Sequence, residues 1–513
     1  MNQAAKFEQL LCTRAIRDDL RRSSIRAAGF TGIAGVIDFV IRMGSTAVLA
    51  RLILPEHFGL VMMVTAVTSI ADQFRDLGLS AATVQRKEIT HAEVTNLFWL
   101  NFASGLVIAL MVCAASPLIS LYYKESRLTL ITCILATNFI WGGLMAQHQA
   151  LLTRQLKLGH TSAIRLASSV LSTLLAILLA WLGYGFWALV WREVARSALI
   201  AVGMWLCFPW VPGFPSRTTD VRGLIHFGAN LCAANILASL SGGVDRFLLG
   251  RFWGPASLAM YRQGYQLLVM PMEQAIGPVY QVTQPGLSML QTEADRFRRF
   301  YRKALTLVCV ATMPLSLFVA VYAPEITRVL LGRKWLATAP ILMILSYGTF
   351  IKQAVGSAAW VLLTRGHSKT YLVLTAAQNA TVILFMAVGV QWGTKGVAVA
   401  DVAATYCFMW PMLYYCLRNS PVSMGAFFAG IGRPACSSLL MYAALATLHS
   451  SLPALGAPAC LTLGGVAAMV VFGGAWFAIP GGKTELIDLI TDLRSALQRK
   501  ITLRKPVEPV PVA

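Results

Sequence analysis

The sequence predicts an all-α integral membrane protein of about fourteen transmembrane helices, arranged as two six-helix lobes in parallel repeat plus a C-terminal helix pair. Three observations lead there. The first is composition: the 513 residues are 57% hydrophobic and only 13% charged, with a mean hydropathy of +0.64. A soluble domain carries roughly 25% charged residues, and a soluble fold cannot hide so much apolar surface. The second is the recurrence of apolar runs near the roughly 20 residues that a spanning helix needs. The third is a short internal repeat at an offset of 200 residues.

The candidate spans are 29–50, 58–84, 95–121, 128–150, 163–182, 186–207, 223–250, 257–290, 304–322, 337–363, 371–390, 394–416, 434–449 and 457–479. The eighth carries Pro271, Pro278 and Pro285, which membrane helices tolerate where neighbours re-satisfy the freed carbonyls. The polar cluster Glu325, Arg328, Arg333, Lys334 and Trp335 either extends helix nine or forms an interfacial loop. The charge-rich 28-residue segment ahead of the first run, and Asp38 and Arg42 within it, do not fit a cleavable signal peptide.

Lys and Arg outnumber Asp and Glu by 43 to 22, a formal charge of +21. In a membrane chain this excess is first a topology signal. With the N-terminus inside, the cytoplasmic segments hold 27 Lys and Arg. The opposite side holds seven, namely Arg51, Lys124, Arg127, Arg251, Arg333, Lys334 and Lys395. Both termini are therefore expected in the cytoplasm, and nucleic acid is not an expected partner. The ten cysteines form no CxxC pair and read as small packing residues rather than a disulfide or zinc framework. Residues 484–501 have the pattern of an amphipathic helix on the cytoplasmic membrane surface, and 506–513 that of a disordered tail.

The repeat pairs LARLILPEHFG at 49–59 with LGRFWGPASLA at 249–259, so that Leu49, Arg51 and Pro55 recur as Leu249, Arg251 and Pro255. Six crossings separate the copies, so both corners face one side. Two six-helix halves related by an axis along the membrane normal form a known transporter architecture with alternating access. The expected divisions are a cytoplasmic segment 1–28, lobes 29–208 and 222–417, an added pair 434–479, and the cytoplasmic helix and tail 480–513.

A charge at mid-membrane costs about 2.5–3.5 kcal/mol on the insertion scale, so each one needs a reason. The spans carry Asp38, Arg42, Asp72, Arg75, Asp76, Arg165, Arg192, Glu193, Arg196, Asp245, Arg246, Arg262, Glu273, Lys352 and Asp401. Asp38 and Arg42 lie four residues apart and either neutralise each other or present a guanidinium able to hold phosphate bidentately. Asp72, Arg75 and Asp76 share a face near the cytoplasmic end and read as a gate or lobe contact. Asp245 and Arg246 lie near the opposite interface, where they bind or simply snorkel. Arg192, Glu193 and Arg196 read as a lock between helix six and a neighbour. Glu273 is the best candidate for a protonatable or cation-binding carboxylate, unless it pairs with an arginine. Gln263, Gln266, Gln274, Gln281 and Gln284 recur along helix eight, a pattern for lining water or a polar substrate. The candidate substrate contacts are thus Arg42, Arg246, Arg262 and Gln266. The candidate gating or ion-coupling groups are Asp38, Asp72, Arg75, Asp76 and Glu273. No catalytic set, metal-ligand spacing, P-loop or HExxH is present.

The runs VLARLILPEHFGLVMMV at 48–64, FRDLGLSAATVQRKEIT at 74–90 and NLFWLN at 96–101 resemble bacterial polysaccharide exporters. So do DRFLLGRFWGPASLAMYRQGYQLLVMP at 245–271, ADRFRRFYRKAL at 294–305 and VLLGRKWLATAP at 329–340. The resemblance is to Wzx-type flippases of the colanic-acid-exporter kind, within the multidrug/oligosaccharidyl-lipid/polysaccharide exporter superfamily. It implies a fourteen-helix inner-membrane protein rather than an enzyme. The implied cargo is an undecaprenyl-pyrophosphate-linked oligosaccharide, flipped from the cytoplasmic to the periplasmic leaflet for exopolysaccharide or lipopolysaccharide synthesis. Membrane lipids, a polysaccharide polymerase and other assembly proteins are the candidate partners. No cofactor is expected, and coupling to H⁺, Na⁺ or the membrane potential stays open. A multidrug cation antiporter of the same superfamily is the alternative within transport, and arginines among the spans argue against cationic cargo. A membrane-embedded polysaccharide polymerase is the alternative from another class, and it should need a sizeable periplasmic loop or a clustered catalytic His/Arg set.

Overall fold

A computed structural model describes residues 20–75, 80, 83–84, 89–215, 243–451, 456–480 and 482. Among these residues every regular element is helical. In chain order they are α1 (Leu20–Leu52), α2 (Pro55–Arg75), α3 (His91–Tyr123), α4 (Leu128–Arg154), α5 (Leu158–Trp181) and α6 (Phe186–Cys207). There follow α7 (Val244–Met289), α8 (Ala294–Val321), α9 (Ala323–Leu330), α10 (Ala339–Thr364), α11 (Ser368–Gly389), α12 (Gly393–Leu417), α13 (Met424–Ser451) and α14 (Ala457–Ala478). Short 3₁₀ turns at Arg333–Thr338 and Val390–Trp392 complete the set.

Among the described residues, seven helical stretches meet the length and apolarity that a membrane crossing needs. Among the helices that do not, α1, α2, α6 and α7 carry most of the intramembrane charges. The chain is a multi-pass, all-α membrane protein whose polar helices are the ones that simple hydropathy overlooks.

Several boundaries differ from the sequence expectation. Helix α3 starts at His91 rather than 95, because Thr90 and Glu93 form a reciprocal capping box. Helix α13 starts at Met424 rather than 434, with Ser423 Oγ accepting from the Ala426 amide. The ambiguous stretch 323–336 becomes the short helix α9 followed by a 3₁₀ turn. The seventh and eighth expected spans meet without a loop: α7 is continuous except at Gly254, where φ is 78°, a conformation that glycine adopts without steric cost. The segment 1–19, most of expected helix seven, the amphipathic segment 484–501 and the tail 506–513 lie outside the described residues.

The chain forms two compact units. The first comprises Met1–Gln266, Thr327–Ile341 and Val382–Ala400. In it α3 and α4 pack along their length, α5 and α6 pair, and α1 lies on α5. The α3–α4 approach is close because Gly105 and Gly143 face the opposing backbone, so that a Cβ at either would meet Phe139 O at 2.5 Å or Asn101 O at 2.7 Å. Small residues permit such contacts in membranes, where packing replaces the hydrophobic driving force. Phe98, Trp205, Trp210 and buried His148 fill the neighbouring core, with His148 stacked on Trp205 at 4.3 Å.

The second unit comprises Leu267–Ile326, Leu342–Thr381 and Asp401–Ala513. Here α8 packs on α13, and α13 on α14. The main core includes Phe297, Tyr301, Leu305, Trp360, Leu413 and Phe427. A hydroxyl bond between Tyr301 and Ser357 (3.2 Å) satisfies the buried phenol, and Thr306 Oγ1 donates to Gly430 O at 3.1 Å.

Candidate functional site

Helix α1 brings Asp38 and Arg42 together, Nε to carboxylate, at 3.0 Å. At 100° per residue these two share the face of buried Ala34, Ser45 and Leu49, while exposed Val36, Ile37 and Val40 look the other way. The pair therefore points toward protein, yet the Arg42 side chain is 50% exposed and Asp38 33%. Intramembrane charges ordinarily face protein or a water-filled cavity rather than lipid, and this pair lies on the buried side of α1 with part of its surface accessible.

Helix α6 supplies the neighbouring charges. Arg192 lies close enough to repel Arg42 electrostatically, and its Nε is buried without a hydrogen-bond partner. Arg196 pairs with Glu193 at 3.2 Å, one turn along the helix. Together, Asp38, Arg42, Arg192, Glu193 and Arg196 leave one positive charge in excess. Such a set can receive an anion through guanidinium N–H donors that the internal carboxylates do not saturate.

The second candidate group surrounds the Gly254 corner. Asp245 is buried and pairs with Arg262 at 3.2 Å, 17 residues later. Arg262 lies over the Tyr265 ring at 5.1 Å. Arg246 is half-buried, its Nε lacks a partner, and it feels the repulsion of Arg262. Gln263 is buried with its Oε1 unpartnered, and Gln266 is half-buried. Asp245, which the sequence leaves either to bind or to snorkel, makes a specific ion pair across the corner.

Along α7, Arg262, Gln263, Gln266, Glu273, Gln274, Gln281 and Gln284 fall within about a third of the helix circumference at 100° per residue. Glu273 is exposed and makes no ion pair among the described residues. Farther along the chain, Lys352 on α10 pairs with buried Asp401 on α12 at 3.5 Å. Asp72 is exposed near the end of α2, Arg75 closes that helix, and Asp76 lies outside the described residues.

The two copies of the internal repeat meet within the first unit. A Cβ at Gly59 would overlap the Pro255 carbonyl, so the corners are in backbone contact. Both start their second helix with proline, the residue suited to a first helical position that needs no N–H donor. Arg51 donates to Val329 O at 2.6 Å, and the buried Trp335 indole donates to Ala50 O at 2.8 Å. Reciprocally, Tyr122 OH donates to Phe247 O at 3.5 Å, and Tyr123 packs against Gly250. None of these contacts follows from sequence spacing, although the repeat marks where to look.

The fold is that of lipid flippases and multidrug transporters. An inward closed conformation of the lipid II flippase MurJ superposes with a TM-score of 0.71 at 13% identity, over 87% of this chain and 97% of the other. An inward-facing multidrug-resistance MATE family transporter gives 0.61 at 13% identity, over 74% and 93%. The family model described as polysaccharide biosynthesis protein matches residues 48–340, and the chain belongs to that family. Teichuronic acid biosynthesis protein TuaB of Bacillus subtilis is 24% identical over 68% of this chain and 73% of its own length. Lipopolysaccharide biosynthesis protein WzxC of Escherichia coli is 26% identical over 64% and 67%. Succinoglycan biosynthesis transport protein ExoT of Rhizobium meliloti is 23% identical over 81% and 84%. The resemblance read from the residues is borne out.

Proposed function

We propose that this protein is a flippase for an undecaprenyl-pyrophosphate-linked oligosaccharide repeat unit. It carries the unit from the cytoplasmic to the periplasmic leaflet of a bacterial inner membrane, by alternating access of the lobes 29–208 and 222–417. Both termini are cytoplasmic in this reading, as the distribution of Lys and Arg requires. The single observation that carries it is the net positive set of α1 and α6, with Arg42 half-exposed on the inward face of a membrane helix. A pyrophosphate has the charge and acceptor geometry to engage such guanidinium groups. The relatives named for teichuronic acid, lipopolysaccharide and succinoglycan supply the polysaccharide context.

No ATP is needed for the energetics. A dianionic headgroup moved outward across a 100 mV potential gains about 4–5 kcal/mol, and Glu273 or Asp38 offers a further route for coupling to H⁺ or Na⁺. The multidrug transporters share the fold, but an organic cation would meet like charge at Arg42 and Arg192.

Substituting Arg42→Ala should abolish surface polymer while membrane protein level stays normal, and Arg42→Lys should restore only part of it, because an ammonium cannot form the bidentate contact. Unchanged polymer in Arg42→Ala, measured against an immunoblot of the same membranes, removes Arg42 from the site.

A further inference from the structure

A groove of about 520 Å³ runs between α11 and α12, lined by Lys369, Thr370, Val373, Leu374, Ala377, Phe408, Pro411 and Tyr415. The helices run in opposite chain directions, so Lys369 and Thr370 at the start of α11 lie at the same end as Tyr415 near the close of α12. Below that polar mouth the walls are apolar for roughly two helical turns, about 10–12 Å at 1.5 Å per residue. Pro411 forms part of one wall from within α12, where it has no N–H to donate to the preceding turn.

The surroundings define what can enter. Lys369–Leu417 is one of the apolar membrane stretches, and only 22% of its most apolar window is buried. Leu372, Val373 and Leu384 stand exposed on α11. The groove thus opens onto the hydrocarbon of the bilayer, and its natural occupant is an acyl chain.

The mouth carries charge of one sign. Segments 364–370 and 411–423 contain Arg365, Lys369 and Arg418 and no Asp or Glu. Arg365 donates to Asn419 O at 2.5 Å, which joins the two segments, and Arg418 stacks over Tyr414 at 5.8 Å. Arg298 reaches Pro421 O at 3.0 Å, and the acids beside it, Glu293 and Asp295, are paired with Arg296 and Arg298. The N-terminus of α11 adds its partial positive charge at the same place. Basic pockets between membrane helices at an interface select anionic lipid headgroups.

We propose that the α11–α12 groove is a binding site for an anionic phospholipid, with the phosphate at Lys369 and Thr370 and an acyl chain along Val373, Leu374, Phe408 and Pro411. The site lies wholly within the second compact unit and does not depend on what the protein transports. It ties the protein to the charge of its membrane: a bilayer lacking anionic lipid leaves the groove to neutral chains and its basic mouth uncompensated.

The test uses the full-length protein in bilayer nanodiscs with two photoactivatable probes that differ in headgroup alone, a phosphatidylglycerol and a phosphatidylcholine, each with a diazirine on one acyl chain. Peptide mapping should place phosphatidylglycerol labels in 369–377 and 408–415 at least fivefold above phosphatidylcholine. Lys369→Gln should level the two probes, and Ala377→Trp, at an exposed position, should remove labelling of both from the groove. Equal labelling by the two probes in the wild-type protein overturns the proposal, as does a phosphatidylglycerol preference that survives Lys369→Gln. Displacement of phosphatidylglycerol from these peptides by equimolar undecaprenyl phosphate also overturns it, because the groove would then hold the isoprenoid instead.

Discussion

The two corners of the internal repeat began from one pattern and hold themselves in different ways. At the first, Arg51 and the Trp335 indole both donate to backbone carbonyls, and Glu56 is bound by Arg127 at 2.6 Å, which also grips Glu125 at 2.7 Å. At the second, the arginine in the same repeat position, Arg251, lies over the Tyr122 ring at 5.9 Å, and Trp253 donates to Val390 O at 2.6 Å. The first corner breaks its helix at residues 53 and 54, whereas the second turns on Gly254 alone. The repeated Leu, Arg and Pro therefore mark where a corner falls but do not fix its chemistry. One is a charge-assisted clamp on backbone, the other an aromatic joint with a glycine pivot.

The largest expected effect at either corner is that of Trp335→Ala. It empties a fully buried site against Phe58 and strands Ala50 O, and should cost about 3–5 kcal/mol, read as a fall in thermal stability of the detergent-purified protein. Next comes Gly254→Ala at the second corner. Nothing lies within 4 Å of the added Cβ, so the cost is backbone strain alone, about 1–3 kcal/mol for a side chain forced to positive φ with extended ψ. The same substitution at a glycine in open space with ordinary φ, such as Gly465, should cost less, and equal costs would show that Gly254 is no pivot.

The paired arginines sharpen the contrast further. Arg51→Ala should lose about 1 kcal/mol, since a hydrogen bond from a charged donor is partly offset by solvent exposure. Arg251→Ala should stay within about 0.5 kcal/mol, the scale of an exposed cation–π contact. The smallest effect is a response to acid. The hydrogen bond from Arg127 holds the Glu125 carboxyl below its usual range. That contribution is complete above the ordinary glutamate value near 4.3 and drains away as pH falls below it. Arg127→Gln should remove this portion of the acid sensitivity, measured as the change in melting temperature between pH 7 and pH 3.

Much of this was legible in the sequence, and the limits have physical causes. Composition and apolar runs fix the membrane class, and the i, i+4 spacing of Asp38 and Arg42 predicts their pairing. The capping box at Thr90 and Glu93 is also written in the sequence, but a polar start to an apolar run reads easily as loop. The Asp245–Arg262 pair is not legible, because Gly254 interrupts the helical period that would relate them. Nor is Lys352–Asp401, whose partners sit on different helices 49 positions apart. Trp335 stands out in the sequence as a tryptophan among charges, yet its acceptor, Ala50 O, lies 285 residues away. Sequence periodicity reports single helices, and the contacts made between helices need the fold.

The activity proposed for this protein is outward movement of a lipid-linked oligosaccharide. Its most direct test is a strain deleted for this protein, with lipid-linked repeat units quantified in each leaflet of the inner membrane alongside surface polymer. If the protein is the flippase, polymer is lost and the repeat units accumulate on the cytoplasmic side. Loss of polymer with the units already in the periplasmic leaflet would contradict it and place the protein at polymerisation, and unchanged polymer with altered drug tolerance would make it an antiporter.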